Sequence, residues 1–203
     1  MPVKVKICGV CTVEDARAAV ASGADFVGLN FHPGSPRCVA PEAAREIADA
    51  VPGAVLVGVF VDAPRARVEE IAARVGLSAL QFHGDEDPDD CRGWDRRTIK
   101  ALRAREGADL AALGARYATD YLLLDSFVAG QPGGTGVALD PAAAAGLPAA
   151  RLFVAGGLRP DTVAAVVRAV RPFAVDVASG VESRPGRKDH AKIEEFIRRA
   201  KTA

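Results

Sequence analysis

The sequence has no excess of charge of either sign: 26 Lys and Arg residues balance 26 Asp and Glu residues in a chain of 203. A balanced chain has no global attraction to nucleic acid or to an anionic membrane, although a local basic patch can still hold a small anion such as a phosphorylated metabolite. There is no apolar stretch near the roughly 18–20 residues that cross a bilayer. The N-terminus lacks a basic segment followed by an apolar run and a cleavage site. These absences lead us to expect a cytoplasmic protein with neither a membrane nor a nucleic-acid partner. Cysteine is sparse, with Cys8, Cys11, Cys38 and Cys91 alone, and without a leader these are expected as reduced thiols, not a disulfide framework. The three histidines, His32, His83 and His190, form no His/Cys/carboxylate pattern with metal-ligand spacing, so no metal is expected. No linker, low-complexity tract or Pro/Gly-rich hinge divides the chain. With 49% hydrophobic residues it reads as one globular domain over 1–203.

What the sequence does have is a period. Apolar runs rich in Val, Ile, Leu and Phe recur as "VKVKICG" at 3–9, "FVGLNF" at 26–31, "VLVGVF" at 55–60 and "ALQFHG" at 79–84. They continue as "TIKALR" at 98–103, "YLLLDS" at 121–126, "LFVAGG" at 152–157 and "AVDVAS" at 174–179. Between them lie segments with helical spacing and start signals, such as "TVEDARAAVASG" with Thr12 as a helix N-cap, "PEAAREIADAV", "PRARVEEIAARVG", "RPDTVAAVVRAV" and "DHAKIEEFIRRA". Helical signal is weakest at 87–97, where only a short helix is offered, and at 140–147, which is brief and Ala-rich. Continuous apolar strands alternating with helices imply a parallel sheet buried on both faces. Eight units of about 25 residues each favour a single parallel (βα)8 TIM barrel, with short or degenerate helices after strands 4 and 6, over an open doubly wound sheet. In such a barrel the loops that follow the strands share one face, where the chemistry is sought.

The strand ends differ in kind. Strand 1 ends in Cys8-Gly9, strand 2 is followed by "HPGSPR" with Arg37, strand 4 ends in His83-Gly84-Asp85, and strand 6 ends in Asp125-Ser126. The last three loops carry glycine-rich turns that include Gly134, Thr135, Gly136, then Gly156 and Gly157, then Ser179 and Gly180. Glycine lets backbone N–H groups approach an anion closely, so these loops suggest a phosphate cradle. They also reverse the chain, which needs glycine for its own reasons. Asp125 ends an apolar "YLLL" run at the barrel rim and is read as functional, with helix capping as the alternative. His83 either lines the pocket or satisfies backbone groups.

The pair Cys8 and Cys11 has CxxC spacing but neither the helix N-terminal setting of a thioredoxin-like motif nor the second cysteine pair of a structural zinc site. Cys8, at the strand end, faces the same rim as Asp125, and its thiol becomes a usable proton acceptor when nearby cations or backbone dipoles favour the thiolate. Cys11 is expected to be a small filler.

At these residues the sequence resembles the phosphoribosylanthranilate isomerase family. The likeness rests on "KICG" at 6–9, "SPRCVAPE" at 35–42, "VGVFVD" at 57–62, "LQFHGDE" at 80–86, "LLLDS" at 122–126, "GGTG" at 133–136, "AGGLRPDTV" at 155–163 and "VDVASGVESRPGRKD" at 175–189. Any one of these is weak, but eight in order are specific. The resemblance implies a cofactor-free βα barrel that performs an Amadori rearrangement of a phosphoribosylated anthranilate in tryptophan biosynthesis. It implies Cys8 as general base, Asp125 as general acid, Arg37 as a contact to the anthranilate carboxylate and His83 in the pocket lining. It also implies a small phosphorylated substrate and a monomer or homodimer. The segment "VALDP" after GGTG departs from the family in lacking an aromatic. The rival readings are a histidine-pathway isomerase on the same fold, a non-catalytic phosphosugar-binding barrel and a redox module built on Cys8 and Cys11.

Overall fold

Each of the eight apolar runs forms a strand in the computed structural model, which describes residues 2–104, 107–126 and 140–203. The strands are β1 (Lys4–Ile7), β2 (Phe26–Asn30), β3 (Leu56–Phe60), β4 (Ala79–Phe82), β5 (Arg97–Ala104), β6 (Tyr121–Ser126), β7 (Leu152–Val154) and β8 (Ala174–Val177). They pair in parallel in chain order and close into a barrel, β1 meeting β8 with Lys4 opposite Ala174 and Lys6 opposite Asp176. The helices α1 (Val13–Ala21), α2 (Pro41–Ala50), α3 (Arg65–Val75), α4 (Leu110–Ala115), α5 (Val163–Val170) and α6 (His190–Lys201) lie between the strands and after the last.

Local chemistry sets the helix limits. Thr12 accepts a hydrogen bond from the Asp15 N–H at 3.1 Å and starts α1. Pro41 opens α2, where its missing N–H costs nothing. α3 stops at Gly76, whose φ of +77° is the left-handed cap that glycine adopts freely. Between β4 and β5, residues 87–93 make turns and no helix. Asp87, Asp89 and Asp90 alternate with Pro88 and precede Gly93, and aspartates compete with helical hydrogen bonding by favouring turns. After β6 come two short 3-10 turns, Pro141–Ala144 and Ala149–Arg151, the first capped by Asp140 accepting from the Ala142 N–H. A two-stranded hairpin, β9 (Glu182–Arg184) with β10 (Arg187–Lys188), follows β8. No helix among the described residues is long and apolar enough to cross a membrane.

Alternate strand residues divide the core. Ile7, Leu29, Leu80, Leu122 and Val175 pack with the helices in the larger cluster. Val57, Ala79, Ile99, Leu123, Phe153 and Ala174 form a separate cluster. At its lower edge the Phe153 ring lies 5.3 Å from Phe26, 5.4 Å from Tyr121 and 5.5 Å from Phe173, centroid to centroid. One pleat period along the same strands, Ala79 gives way to Gln81, Leu123 to Asp125 and Ala174 to Asp176, all buried. The barrel is thus apolar in one layer and polar in the next.

Candidate active site

The polar layer opens into a pocket that Cys8, Arg37, His83 and Asp125 all line, together with Gly156, Gly157, Ser179 and Gly180. The remaining predicted positions, Gly134, Thr135 and Gly136, lie outside the described residues.

Cys8 follows β1 directly, its backbone N–H donating to the Val177 carbonyl at 2.8 Å. On the neighbouring strand Gly28 makes room for it, since a Cβ there would stand 2.9 Å from Cys8 Sγ and 3.0 Å from its Cα. Cys8 is buried, at 9% residue exposure. Burial pushes its pKa up, the Lys6 ammonium pulls it down and the Asp176 carboxylate pushes it up again, leaving it above the ordinary thiol value. The sequence led us to look for cations favouring the thiolate. Lys6 is that cation, but desolvation outweighs it. Lys6 itself is fully buried and donates to Asp176 Oδ1 at 3.0 Å. Burial alone would depress its pKa, yet Asp176 and then Cys8 raise it above the usual lysine value. Cys11 Sγ lies 3.6 Å from the Gly9 carbonyl and 3.5 Å from that of Arg37, and all four cysteines are unpaired thiols.

Asp125, buried in β6, faces His83, whose Nε2 is 3.2 Å from Asp125 Oδ2. His83 Nδ1 is in turn 2.8 Å from Gln81 Nε2. Gln81 Oε1 is buried without a hydrogen-bond partner among the described residues. The loop that carries His83 is tied down by Glu86, which accepts from the N–H groups of Asp62 and Gly84, both at 3.0 Å, and from Lys100 Nζ at 2.5 Å. The "HGDE" residues thus fix the ring that touches Asp125.

Arg37 donates from Nε and Nη2 to the two carboxylate oxygens of Glu182, each at 2.8 Å. That bond raises the guanidinium pKa. Burial opposes ionisation of Glu182, but Arg37 and then Lys188 hold its pKa below the usual range. Gly9, at φ +68°, clears the path of the arginine, because a Cβ would meet Arg37 Cδ at 2.4 Å. The late glycines bring loops into backbone contact. A Cβ on Gly180 would sit 1.8 Å from the Leu158 carbonyl oxygen, and one on Gly156 would sit 2.6 Å from the Ser126 nitrogen.

Sequence reasoning missed Lys6, Gln81, Asp176, Glu182 and Lys188. The signal for Gln81 and Asp176 was available: each stands two residues along its strand from an inward apolar position, Ala79 and Ala174, and that step predicts another inward position. Among the described residues no group of three His, Cys, Asp or Glu side chains could hold a metal. What the site offers is a thiol beside an ammonium, a carboxyl group beside an imidazole, and a clamped guanidinium, all facing one pocket. That set can move protons on a small anionic molecule.

Comparison with known proteins agrees with this geometry. The sequence model of the family described as N-(5'-phosphoribosyl)anthranilate (PRA) isomerase matches residues 5–199. The N-(5'-phosphoribosyl)anthranilate isomerase of Pseudomonas putida (strain GB-1) is 48% identical over 203 residues, covering 99% of this chain and 98% of that protein. The solved structure of phosphoribosyl anthranilate isomerase from Thermotoga maritima superposes with a TM-score of 0.89 at 39% identity, covering 99% of this chain and 100% of that one. A solved phosphoribosyl anthranilate isomerase in complex with reduced 1-(o-carboxyphenylamino)-1-deoxyribulose 5-phosphate gives a TM-score of 0.86 at 39% identity, with the same coverage.

Proposed function

The chain belongs to the N-(5'-phosphoribosyl)anthranilate isomerase family, and from that premise we propose that it catalyses the Amadori rearrangement of N-(5'-phosphoribosyl)anthranilate to 1-(2-carboxyphenylamino)-1-deoxyribulose 5-phosphate in tryptophan biosynthesis, with Cys8 and Asp125 as base and acid. The observation that carries the assignment is that Cys8, directly after β1, and Asp125, in β6, which is not a neighbour of β1 in the barrel, line one pocket with Arg37. In this reading Asp125 protonates the ribose ring oxygen as the ring opens and the C1–N bond gains iminium character. The iminium acidifies the C2 hydrogen. Cys8, as the thiolate, removes it, and the resulting enolamine tautomerises to the ketone. Lys6 offsets the negative charge of the thiolate.

Binding supplies the alignment. Arg37 takes the anthranilate carboxylate, and the backbone around Gly156, Gly157, Ser179 and Gly180 takes the phosphate, so the reacting carbons are held between base and acid. His83 acts on Asp125 and lines the pocket. Residues 1–203 then work as one barrel domain, as a monomer or homodimer in the cytoplasm, on a small phosphorylated metabolite. The test is direct: purified protein should abolish the fluorescence of phosphoribosylanthranilate, and Cys8→Ala and Asp125→Ala should not. Absence of turnover by the wild-type protein would refute the reading.

A further inference from the structure

Arg37 lines the pocket, but the groups that hold it do not. Glu182, at the start of β9, accepts from Arg37 Nε and Nη2 at 2.8 Å each, and its side chain is only 4% exposed. A guanidinium carries five N–H donors in a rigid plane. Side-on pairing with Glu182 spends the Nε hydrogen and one Nη2 hydrogen. The end-on edge, formed by Nη1 and the second Nη2 hydrogen, is left over, and no described residue accepts from it. Such an edge matches a second carboxylate in two-pronged geometry.

Charge is the difficulty. A half-buried arginine already closed by a glutamate is electrically neutral as a pair and has little attraction left for an anion. Lys188 changes the sum. Its Nζ, fully buried, donates to Glu182 Oε1 at 2.9 Å and to the Ala178 carbonyl at 3.0 Å. Lysine, glutamate and arginine stand in a row, positive, negative, positive, and the row as a whole carries one positive charge facing the pocket through Arg37. The arginine is therefore fixed in orientation by a carboxylate whose own charge a second cation has cancelled.

We propose that Glu182 and Lys188 are positioning residues that turn Arg37 into an oriented receptor for a ring carboxylate, so that the Lys188–Glu182–Arg37 row selects substrates bearing that group. The inference rests on the reading of the site given above. A purely structural role, in which the row staples the β9–β10 hairpin to the loop after β2, makes a different prediction: its loss would weaken every ligand alike.

Two reduced product analogues separate these roles, one carrying the ring carboxylate and one with hydrogen in its place, both keeping the phosphate. Binding of each to wild-type protein, Lys188→Gln and Lys188→Met is measured by calorimetry, the glutamine variant being included because its amide can still donate to Glu182 and Ala178 and so preserve the fold. The carboxylate-bearing analogue should bind about tenfold or more weakly to both variants, while the analogue without it stays within about twofold of wild type. Equal weakening of both analogues, or no change in either, would overturn this inference alone. Failure of the wild-type protein to bind either analogue would overturn the functional reading and this inference with it.

Discussion

His83 stands between Asp125 and Gln81, its Nε2 3.2 Å from the carboxylate and its Nδ1 2.8 Å from the Gln81 amide nitrogen. With the amide donating to Nδ1, the ring carries its hydrogen on Nε2 and donates it to Asp125. Asp125 is thereby oriented by the imidazole. Asp125→Ala should lower kcat by about a hundredfold or more, within the range of general acid–base catalysis. Gln81→Met, which frees the ring without touching substrate carboxylate or phosphate, should lower kcat by about tenfold with a smaller change in KM. Steady-state kinetics checks both, and unchanged kcat in Asp125→Ala would remove the acid assignment.

The pH profile should report on Cys8. Burial places its pKa above the ordinary thiol value, and the proposed base is its deprotonated form, so kcat/KM should climb with pH into the alkaline range before levelling. Asp176 is one of the groups that raises this pKa. Asp176→Asn removes it and leaves Lys6 beside the thiol, so the pH dependence of Cys8 alkylation by iodoacetamide should move to lower pH. A bound product analogue should slow the alkylation. A shift to higher pH would contradict the account of the thiol's surroundings.

Gly28 bears on the same sulfur from the neighbouring strand. In Gly28→Ala the new methyl would lie within 3.0 Å of Cys8 Sγ and Cα, and the backbone of β1 cannot yield as a flexible side chain would. We expect a loss of about 1–3 kcal/mol in stability and a fall in kcat of at least about tenfold. Thermal melts and kinetics on the same preparation test this, and wild-type kcat would show that Cys8 tolerates displacement.

At the opposite end of the barrel stability and activity should separate. Phe153, fully buried among Phe26, Tyr121 and Phe173, is not among the residues that line the pocket. Phe153→Ala should cost about 3–5 kcal/mol, with kcat near wild type at temperatures where the variant is folded. Denaturant titration and kinetics at low temperature make the comparison.

Inorganic phosphate should inhibit competitively with substrate, since the loops after β7 and β8 would serve any tetrahedral anion. Gly180→Ala, whose methyl would meet the Leu158 carbonyl oxygen at 1.8 Å, should force those loops apart and raise KM. Inhibition that substrate cannot overcome would argue against a shared phosphate site.

The barrel was legible because its strands are continuous apolar runs, and buried parallel strands need nothing else. Cys8, Arg37, His83 and Asp125 were legible because each stands at or just after a strand end, where the fold assembles its site. Lys6 was not. In "VKVKICG" it looks like the solvent-facing half of an alternating pattern, and only the closure of β1 against β8 brings Asp176 opposite it. Glu182 and Lys188 were hidden for a similar reason: a hairpin after the last strand carries them back to Arg37, 145 residues earlier than Glu182. The α4 helix escaped because its six residues are too few to show a period.

The Lys6–Asp176 bond spans 170 residues, and this bears on how the protein acquires activity during synthesis. Cys8 and its neighbouring lysine leave the ribosome long before the carboxylate that neutralises the lysine, which arrives with β8. Until that strand docks, β1 has an unpaired edge and an ammonium that cannot be enclosed without a counter-charge. Docking of the last strand seals the barrel and gives the Cys8 thiol its final surroundings in one step. A nascent chain halted before residue 174 would hold Cys8 without the strand that completes its surroundings, so on the proposed reading activity appears only with ring closure.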